Sequence, residues 1–189
     1  MATSAKRLLT ADEFLAIEWE DSDIKAELDN GVIRVIRMMA GGSLSHSRVQ
    51  GNVFAALFAR LRGSGCRPHG PDMGSRTHDL SIRYPDVSVI CGPATPDDGL
   101  VKERSDPKLV VEVLSPTTRR SDEQNRLPEY QAMPALEAIL YIDPDAESLR
   151  LLTRTDTRGW MDESVDQQAD IAIPALGLTL PRSEIFLND

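Results

Sequence analysis

Two runs of β-branched and apolar residues constrain the fold of this chain more than any other feature. They read "PDVSVIC" at 85–91 and "KLVVEVL" at 108–114, and turn-forming residues flank both. Each has the length and composition of a core strand, and the proline-rich segment between them predicts a loop. Upstream, apolar residues recur at three- and four-residue spacing over 45–61, which predicts a helix with one buried face.

Two capping-box patterns predict further helices. Thr10 is followed three residues later by Glu13, which predicts a short amphipathic helix near the start of the chain. Ser121 and Gln124 repeat the pattern and open a second segment. Pro128 interrupts that segment, so we expect a helix that is kinked or begins late.

The remaining patterns predict strands. An Asn-Gly pair at the centre of "IKAELDNGVIRVIRM" predicts a hairpin. Apolar runs predict strands at "AILYIDP" and "SLRLLTR", and weaker patterns lie near 170–173 and 176–180. The order of these elements predicts one mixed α/β (α+β) domain over residues 1–189, with a central mixed β-sheet flanked by helices and preceded by a helix and a hairpin.

Composition narrows the class of protein. The chain is 41% hydrophobic and 27% charged, which is typical of a globular domain, and no segment has the apolar length of a signal peptide or membrane span. We therefore expect a cytoplasmic protein without a membrane partner. Cys66 and Cys91 lack a CxxC spacing, and we expect two reduced thiols. The net charge of -9 opposes binding to nucleic acid, whose phosphates attract Lys and Arg.

Glu112 is the residue that the strand pattern does not explain. Alternate side chains of a strand face opposite ways, so Glu112 shares a face with Val110 and Leu114 while Val111 and Val113 share the other. A buried carboxylate is costly unless it is neutralised, paired with a cation or bound to a metal. We therefore expect a compensating group beside Glu112.

Asp86 is the natural second acid. It begins the preceding predicted strand, and if the two strands are neighbours the carboxylates can converge at one end of the sheet. Two hard oxygen ligands suit Mg²⁺, which binds through one or two carboxylates plus substrate phosphates. The alternative is structural: Glu112 pairs with an arginine, and Asp86 is a turn residue after Pro85.

Several segments together resemble the Uma-two family of restriction-endonuclease-like proteins, a branch of the PD-(D/E)XK nuclease superfamily. The similarity extends over about residues 10–186. The segments that carry it are "AELDNGVIRVIRM", "SHSRVQGNVFAALFARLRG", "PDVSVIC", "PKLVVEVLSPTTRRSDEQNRLPEY", "ILYIDP" and "GLTLPRSEIF".

The resemblance implies metal-dependent hydrolysis of DNA phosphodiester bonds. Asp86 matches the Asp of the PD motif and Glu112 the acid of the E-x-K motif, so both would ligate Mg²⁺ or Mn²⁺. Glu27 matches an upstream acid that can add to the metal site. His46 matches the family's histidine after the hairpin, and Asp122 and Tyr130 match positions of the later helix.

The chain departs from the family pattern at the lysine. Leu114 stands where the E-x-K motif has lysine, and the helix position from which related proteins supply it is Arg126. Arginine can offset charge on a phosphate but stays protonated, so it cannot act as a general base. Pro128 lies close to Arg126 and leaves its direction open. The structural alternative is an ion pair of Arg126 with Asp122 at the surface and packing of Tyr130 on the core.

Three functions fit these observations. The leading one is a Mg²⁺- or Mn²⁺-dependent DNA endonuclease, expected as a homodimer because two-fold symmetry suits cleavage of both strands. A non-enzymatic binding or regulatory module on the same fold is the second, favoured by the negative charge, Leu114, Arg126 and Pro128. The third is a metal-dependent phosphoesterase that acts on a small substrate.

Overall fold

The computed structural model describes residues 7–20, 24–36, 43–115, 122–156 and 159–188, and in these ranges a few helices stand between longer runs of strands. Short 3-10 turns and one π-helical turn, Asp122–Arg126, complete the helical elements of this part. The α-helices are α1 (Ala11–Leu15), α2 (Leu44–Arg60), α3 (Leu127–Ala132) and α4 (Arg182–Ile185). None of the helices in these ranges is long and apolar enough to cross a membrane.

The strands divide between two large mixed sheets and one small hairpin. They are β1 (Lys25–Asp29), β2 (Val32–Ile36), β3 (Cys66–His69), β4 (Gly74–His78), β5 (Ser81–Arg83), β6 (Val87–Cys91), β7 (Glu103–Arg104), β8 (Leu109–Val113), β9 (Ala138–Asp143), β10 (Ser148–Arg154), β11 (Trp160–Ser164), β12 (Ile171–Ile173) and β13 (Leu178–Leu180). The five-stranded sheet has the order β2-β1-β5-β4-β7, and the six-stranded sheet has the order β11-β10-β9-β8-β6-β3. The predicted mixed α+β class is confirmed.

Two apolar clusters cover the faces of the six-stranded sheet. On one face, α2 buries Val49, Val53 and Leu57 against a cluster that includes Val111 and Val113. On the other face, Val110 and Leu114 pack in a cluster with Tyr130 of α3. The alternation predicted for the strand around Glu112 is therefore confirmed, and Glu112 lies on the side of α3.

A tight turn joins β1 to β2 and fixes the start of the five-stranded sheet. Asn30 and Gly31 both have positive φ angles, of 48° and 78°, as an Asn-Gly hairpin turn requires. The N–H of Gly31 also donates to the carbonyl of Leu80, which ties the turn to the segment before β5. Glu27 lies in the middle of β1 and is thereby held at a fixed position in the sheet.

The predicted helices and strands are present, and the helix at Pro128 begins late, at Leu127, as expected. The segment predicted as a loop between β6 and β8 differs, because it contains a 3-10 turn, Pro96–Leu100, and the short strand β7. Thr10 caps α1 in a complete capping box with Glu13. Pro128 lies in the first turn of α3, where a missing N–H costs little, and the irregular winding falls in the π-helical turn before it. Ser121, the residue predicted to cap this helix, lies outside the described residues.

The prediction of two reduced thiols is wrong. Cys66 of β3 and Cys91 of β6 are directly paired across antiparallel strands, and the structure joins them in a disulfide. The two cysteines are 25 residues apart in sequence. Only closely spaced cysteines, as in CxxC, form a recognisable motif, so the sequence carried no sign of this pairing.

Candidate active site

Asp86 and Glu112 meet at one end of the strand pair β6–β8. The two strands are antiparallel neighbours in which Val87 pairs with Val111, so the same register carried on by one residue sets Asp86 opposite Glu112. An Oδ2 atom of Asp86 accepts a 2.7 Å hydrogen bond from the N–H of Val113. The Asp86 carboxylate thus accepts from a main-chain N–H of β8 at the point where the pairing of β6 with β8 ends.

Glu112 is compensated by two donors from the segment that includes α3. Its side chain is only 4% exposed. Oε1 of Glu112 accepts a hydrogen bond of 2.6 Å from the hydroxyl of Tyr130 and one of 3.0 Å from Nη1 of Arg126. Burial, together with the charge of Glu112, raises the pKa of Tyr130 well above its ordinary value, so this hydroxyl stays protonated and remains a donor.

Arg126 joins the two large sheets. Its Nη2 atom lies 3.0 Å from Oε1 and 3.1 Å from Oε2 of Glu27, while Nη1 reaches Glu112. Glu27 belongs to the five-stranded sheet and Glu112 to the six-stranded sheet, so one guanidinium group bridges a carboxylate from each. Arg126 is 15% exposed, against 4% for both carboxylates. It therefore stands between a buried layer and the surface.

Glu27 is held from more than one side. Besides Arg126, its Oε1 atom accepts a 3.1 Å hydrogen bond from the main-chain N–H of Tyr84, and its Oε2 atom lies 3.5 Å from Nη1 of Arg83. Both oxygens of Glu27 are therefore engaged by N–H groups. To ligate a metal ion, Glu27 would have to release at least one of these donors.

A second buried ion-pair cluster lies behind Glu27. Arg83 of β5 donates to both oxygens of Glu129, at 2.8 and 2.7 Å, and to Oδ1 of Asp29 at 2.8 Å. Burial opposes the charge of Arg83, but Glu129 and Asp29 outweigh it and raise its pKa above the ordinary value. Sequence patterns gave no sign of Arg83 or Glu129, because their pairing depends on how α3 lies against the five-stranded sheet.

His46 and Gln50 approach Asp86 from the first turns of α2. Nε2 of His46 lies 3.5 Å from Oδ2 of Asp86, and the side-chain amide of Gln50 donates to the Asp86 carbonyl at 3.1 Å. The hydroxyl of Ser43 caps the helix by accepting from the N–H of His46. The Asp86 carboxylate raises the pKa of His46 above its ordinary value against the opposing effect of burial. Gln50 lies one helical turn after His46, and that spacing was the signal that could have indicated it.

The structure places the candidate residues in two groups, which the pairing of β6 with β8 brings to the same end of a sheet. Arg126 joins Glu27 and Glu112, whose Oε1 atom also accepts from Tyr130, and His46 contacts Asp86. Together the two groups form the network of the site. The Asp122 side chain lies outside the described residues, while Leu114 packs in the apolar cluster beside Tyr130. The structural alternative for Glu112, an ion pair with an arginine, is present in this network, with Arg126 as the partner.

The donor set at Asp86 and Glu112 matches the needs of a hard divalent cation. Within the parts of the chain that the structure describes, no three or more His, Cys, Asp and Glu side chains are arranged to hold one metal ion. Mg²⁺, however, binds through one or two carboxylates and keeps several waters, so two acids at one sheet end suit it. Asp86 and Glu112 are the residues that would hold such an ion.

Comparison with known proteins gives the same family over most of the chain. Residues 11–183 match the family model Uma2, described as "Putative restriction endonuclease". Two proteins of Synechocystis sp. (strain ATCC 27184 / PCC 6803 / Kazusa) are also similar. "Uncharacterized protein slr1290" is 27% identical over 94% of this chain and 91% of its own length. "Uncharacterized protein sll1609" is 28% identical over 90% of this chain and 96% of its own length. This chain belongs to the Uma2 family of restriction-endonuclease-like proteins.

Proposed function

We propose that this protein is a Mg²⁺- or Mn²⁺-dependent endonuclease that hydrolyses phosphodiester bonds in DNA. The observation that carries the proposal is the register of β6 and β8, which brings Asp86 and Glu112 together beside His46 and Arg126. Membership of the Uma2 family supports the nuclease class. When bound, a divalent cation would acidify a water molecule and offset the negative charge of the phosphate.

The charge balance of the site supports a cation. Across the network and the Arg83 cluster together, the carboxylates outnumber the guanidinium groups among the described side chains, so a bound divalent cation would reduce an excess of negative charge. The carboxylates are Glu27, Asp29, Asp86, Glu112 and Glu129; the guanidinium groups are Arg34, Arg83 and Arg126, and His46 adds one positive charge when it is protonated.

Two side chains have roles that do not depend on proton transfer by a lysine. Arg126, at the boundary between the buried layer and the surface, would offset the charge that develops on the phosphate. His46 reaches Asp86 from α2 and would orient substrate or water at the same end of the sheet. An arginine side chain stays protonated near neutral pH, so Arg126 offers a positive charge and hydrogen-bond donors but cannot act as a base.

Cleavage of supercoiled plasmid tests the proposal. The wild type is incubated with Mg²⁺ or Mn²⁺ beside Asp86→Ala and Glu112→Ala, and nicked and linear products are measured over time. Glu184→Gln is a matched control, because Glu184 forms a two-point ion pair with Arg60 at the far end of α2. We expect cleavage by the wild type and the control and none by the two site variants. A wild type that nicks no faster than the site variants in both metals would reject the endonuclease.

A binding module without cleavage is the second candidate, and the Arg126–Glu112 ion pair favours it. In that case Arg126 neutralises Glu112 permanently, and the site needs no metal. Fluorescence anisotropy with a labelled DNA duplex separates the two functions. Binding of DNA that is equal with EDTA and with Mn²⁺, in the absence of any nicking, would support the module.

We include a homodimer and a cytoplasmic location in the proposal. Two-fold symmetry would present one site to each strand of a duplex. The cytoplasmic location expected from the sequence agrees with a DNA substrate. Sedimentation velocity measures the mass of the particle. A monomer at the concentrations at which plasmid is linearised would reject the dimer.

A further inference from the structure

Arg126 contacts its two carboxylate partners unequally. Nη2 of Arg126 donates to both oxygens of Glu27. Nη1 donates to Oε1 of Glu112, an atom that also accepts from the Tyr130 hydroxyl. Glu27 is itself fixed by the N–H of Tyr84 and by Arg83. Each contact of a guanidinium group with a carboxylate oxygen is a charge-assisted hydrogen bond, and Nη2 makes two of them to Glu27. Because Glu27 is fixed by its own donors, it is the end of the bridge that would hold Arg126 when another cation takes Glu112.

The two carboxylates also differ in their position relative to Asp86. Glu112 stands opposite Asp86 in the register of β6 and β8, while Glu27 belongs to the other sheet and reaches Glu112 through Arg126. A cation shared by Asp86 and Glu112 would compete with Nη1 of Arg126 for Glu112. It would leave the contact of Nη2 with Glu27 in place.

We propose that Glu27 is a positioning residue for Arg126 and not a metal ligand, and that Arg126 releases Glu112 but keeps Glu27 when a divalent cation binds. The inference rests on the proposed function and refines it. In the absence of metal, Arg126 neutralises Glu112; in its presence, Glu27 retains the guanidinium and Nη1 is turned to the phosphate of the substrate. The charge of Arg126 thus serves two partners in turn.

Binding of Mn²⁺ alone, measured by isothermal titration calorimetry without DNA, tests the exchange. Arg126→Met removes the competitor, and we expect Mn²⁺ to bind roughly tenfold more tightly than to the wild type, as the loss of one hydrogen bond to a charged group implies. Glu27→Gln frees Arg126 from its anchor and leaves it more firmly on Glu112, so we expect weaker binding. Arg104→Met is the matched control, since Arg104 pairs with Asp106 outside the network, and its Mn²⁺ affinity should equal that of the wild type.

The double variant separates a positioning residue from a ligand. If Glu27 acts through Arg126, the variant Glu27→Gln/Arg126→Met binds Mn²⁺ within about threefold of Arg126→Met, because the effect of Glu27 disappears with its partner. If Glu27 is a metal ligand, the double variant binds at least tenfold more weakly than Arg126→Met. That outcome, or Mn²⁺ binding to Arg126→Met that is no tighter than to the wild type, would overturn the inference.

Two further measurements keep the result decisive. Thermal melting identifies a variant that fails to fold, and Arg126→Lys then replaces Arg126→Met. A lysine ammonium reaches one carboxylate at a time, so its Mn²⁺ affinity should also exceed that of the wild type. Plasmid nicking on the same samples distinguishes the two proposals: the expected Mn²⁺ pattern without nicking rejects the endonuclease and retains the exchange, while nicking without the pattern does the reverse.

Discussion

The hydroxyl of Tyr130 donates a 2.6 Å hydrogen bond to Oε1 of Glu112, and both side chains are buried. One residue therefore performs two tasks, because the ring of Tyr130 fills the apolar cluster beneath α3 while its hydroxyl compensates the carboxylate. Sequence analysis left packing and a site role as alternatives for this tyrosine, and its contacts include both the apolar cluster and the carboxylate of Glu112. The packing of the core and the charge of Glu112 are therefore linked through the hydroxyl of Tyr130.

Tyr130→Phe should destabilise the protein although it keeps the ring. The change removes a donor to a buried charged group, which costs about 1.5–3 kcal/mol of the free energy of unfolding. Urea denaturation without metal measures the loss. Tyr84→Phe is the control, because among the described residues the Tyr84 hydroxyl makes no hydrogen bond, and it should stay within about 0.5 kcal/mol of the wild type. Equal losses in the two variants would contradict the role of the Tyr130 hydroxyl.

His46 and His69 should separate in an NMR titration of the metal-free protein. The Asp86 carboxylate raises the pKa of His46, whereas burial and the charges of Arg104 and Arg67 lower the pKa of His69. We expect His46 to titrate above about 6.5 and His69 below it. Asp86→Asn should lower the pKa of His46 and leave His69 unchanged; an unchanged His46 would show that Asp86 is not its partner.

The same shift of His46 implies a pH dependence of stability. A group whose pKa is higher in the folded state stabilises the protein most when it is protonated in both states, which holds below the ordinary histidine value of about 6.5. That contribution is lost as the pH rises through the raised pKa of His46. The difference in unfolding free energy between the wild type and His46→Gln should therefore shrink as the pH rises from below about 6.5 through the raised pKa of His46. A difference that grows over this range would contradict the sign of the shift.

Arg83→Met should be among the most destabilising single changes. It removes the buried cation that Glu129, Asp29 and Glu27 share, and removing one partner of a buried ion pair costs about 3–5 kcal/mol. Chemical denaturation measures the effect. Arg104→Met removes an arginine whose pair with Asp106 is partly exposed, so its cost should be about 1 kcal/mol or less. A similar cost for both would show that the Arg83 cluster contributes no more than a surface pair.

Gly31→Ala should cost more than Gly63→Ala, although both residues have positive φ. A Cβ at residue 31 would lie 2.5 Å from Cβ of Leu8, whereas one at residue 63 would meet nothing within 4 Å. Backbone strain alone costs about 1–2 kcal/mol and is common to both. The excess for Gly31→Ala in thermal or urea unfolding measures the steric clash, and equal costs would show that Leu8 moves aside freely.

Local patterns predicted the residues that lie along one strand or one helical turn. The alternation around Glu112 indicated its buried face, and Asn30–Gly31 indicated the hairpin that carries Glu27, because both signals depend on neighbours in the chain. Glu112 could be recognised because a carboxylate in an apolar strand is unusual at the level of sequence alone. Asp86 was indicated by its place at the start of the preceding strand, and Glu27 only by the family resemblance.

Contacts between distant segments could not be predicted in this way. Arg83 and Glu129 meet across 46 residues, and Cys66 meets Cys91 through the pairing of β3 with β6. Whether Arg126 pairs locally or reaches Glu27, 99 residues away, depends on the packing of α3 between two sheets. Strands such as β4 and β5 also lack a clear apolar alternation, because polar side chains that belong to or contact the Arg83–Glu129 cluster occupy their buried face.

The hydrogen bond from the N–H of Val113 to Asp86 has an evolutionary consequence. Asp86 closes the end of the β6–β8 pair whether or not the protein cuts DNA, and its loss would leave a main-chain donor unsatisfied at a cost of about 1–3 kcal/mol. If the proposed endonuclease activity holds, a homologue that loses it would still be selected to retain Asp86. The loss should then be sought first in Arg126 and Glu112, and an unchanged Asp86 would be no sign of a working enzyme.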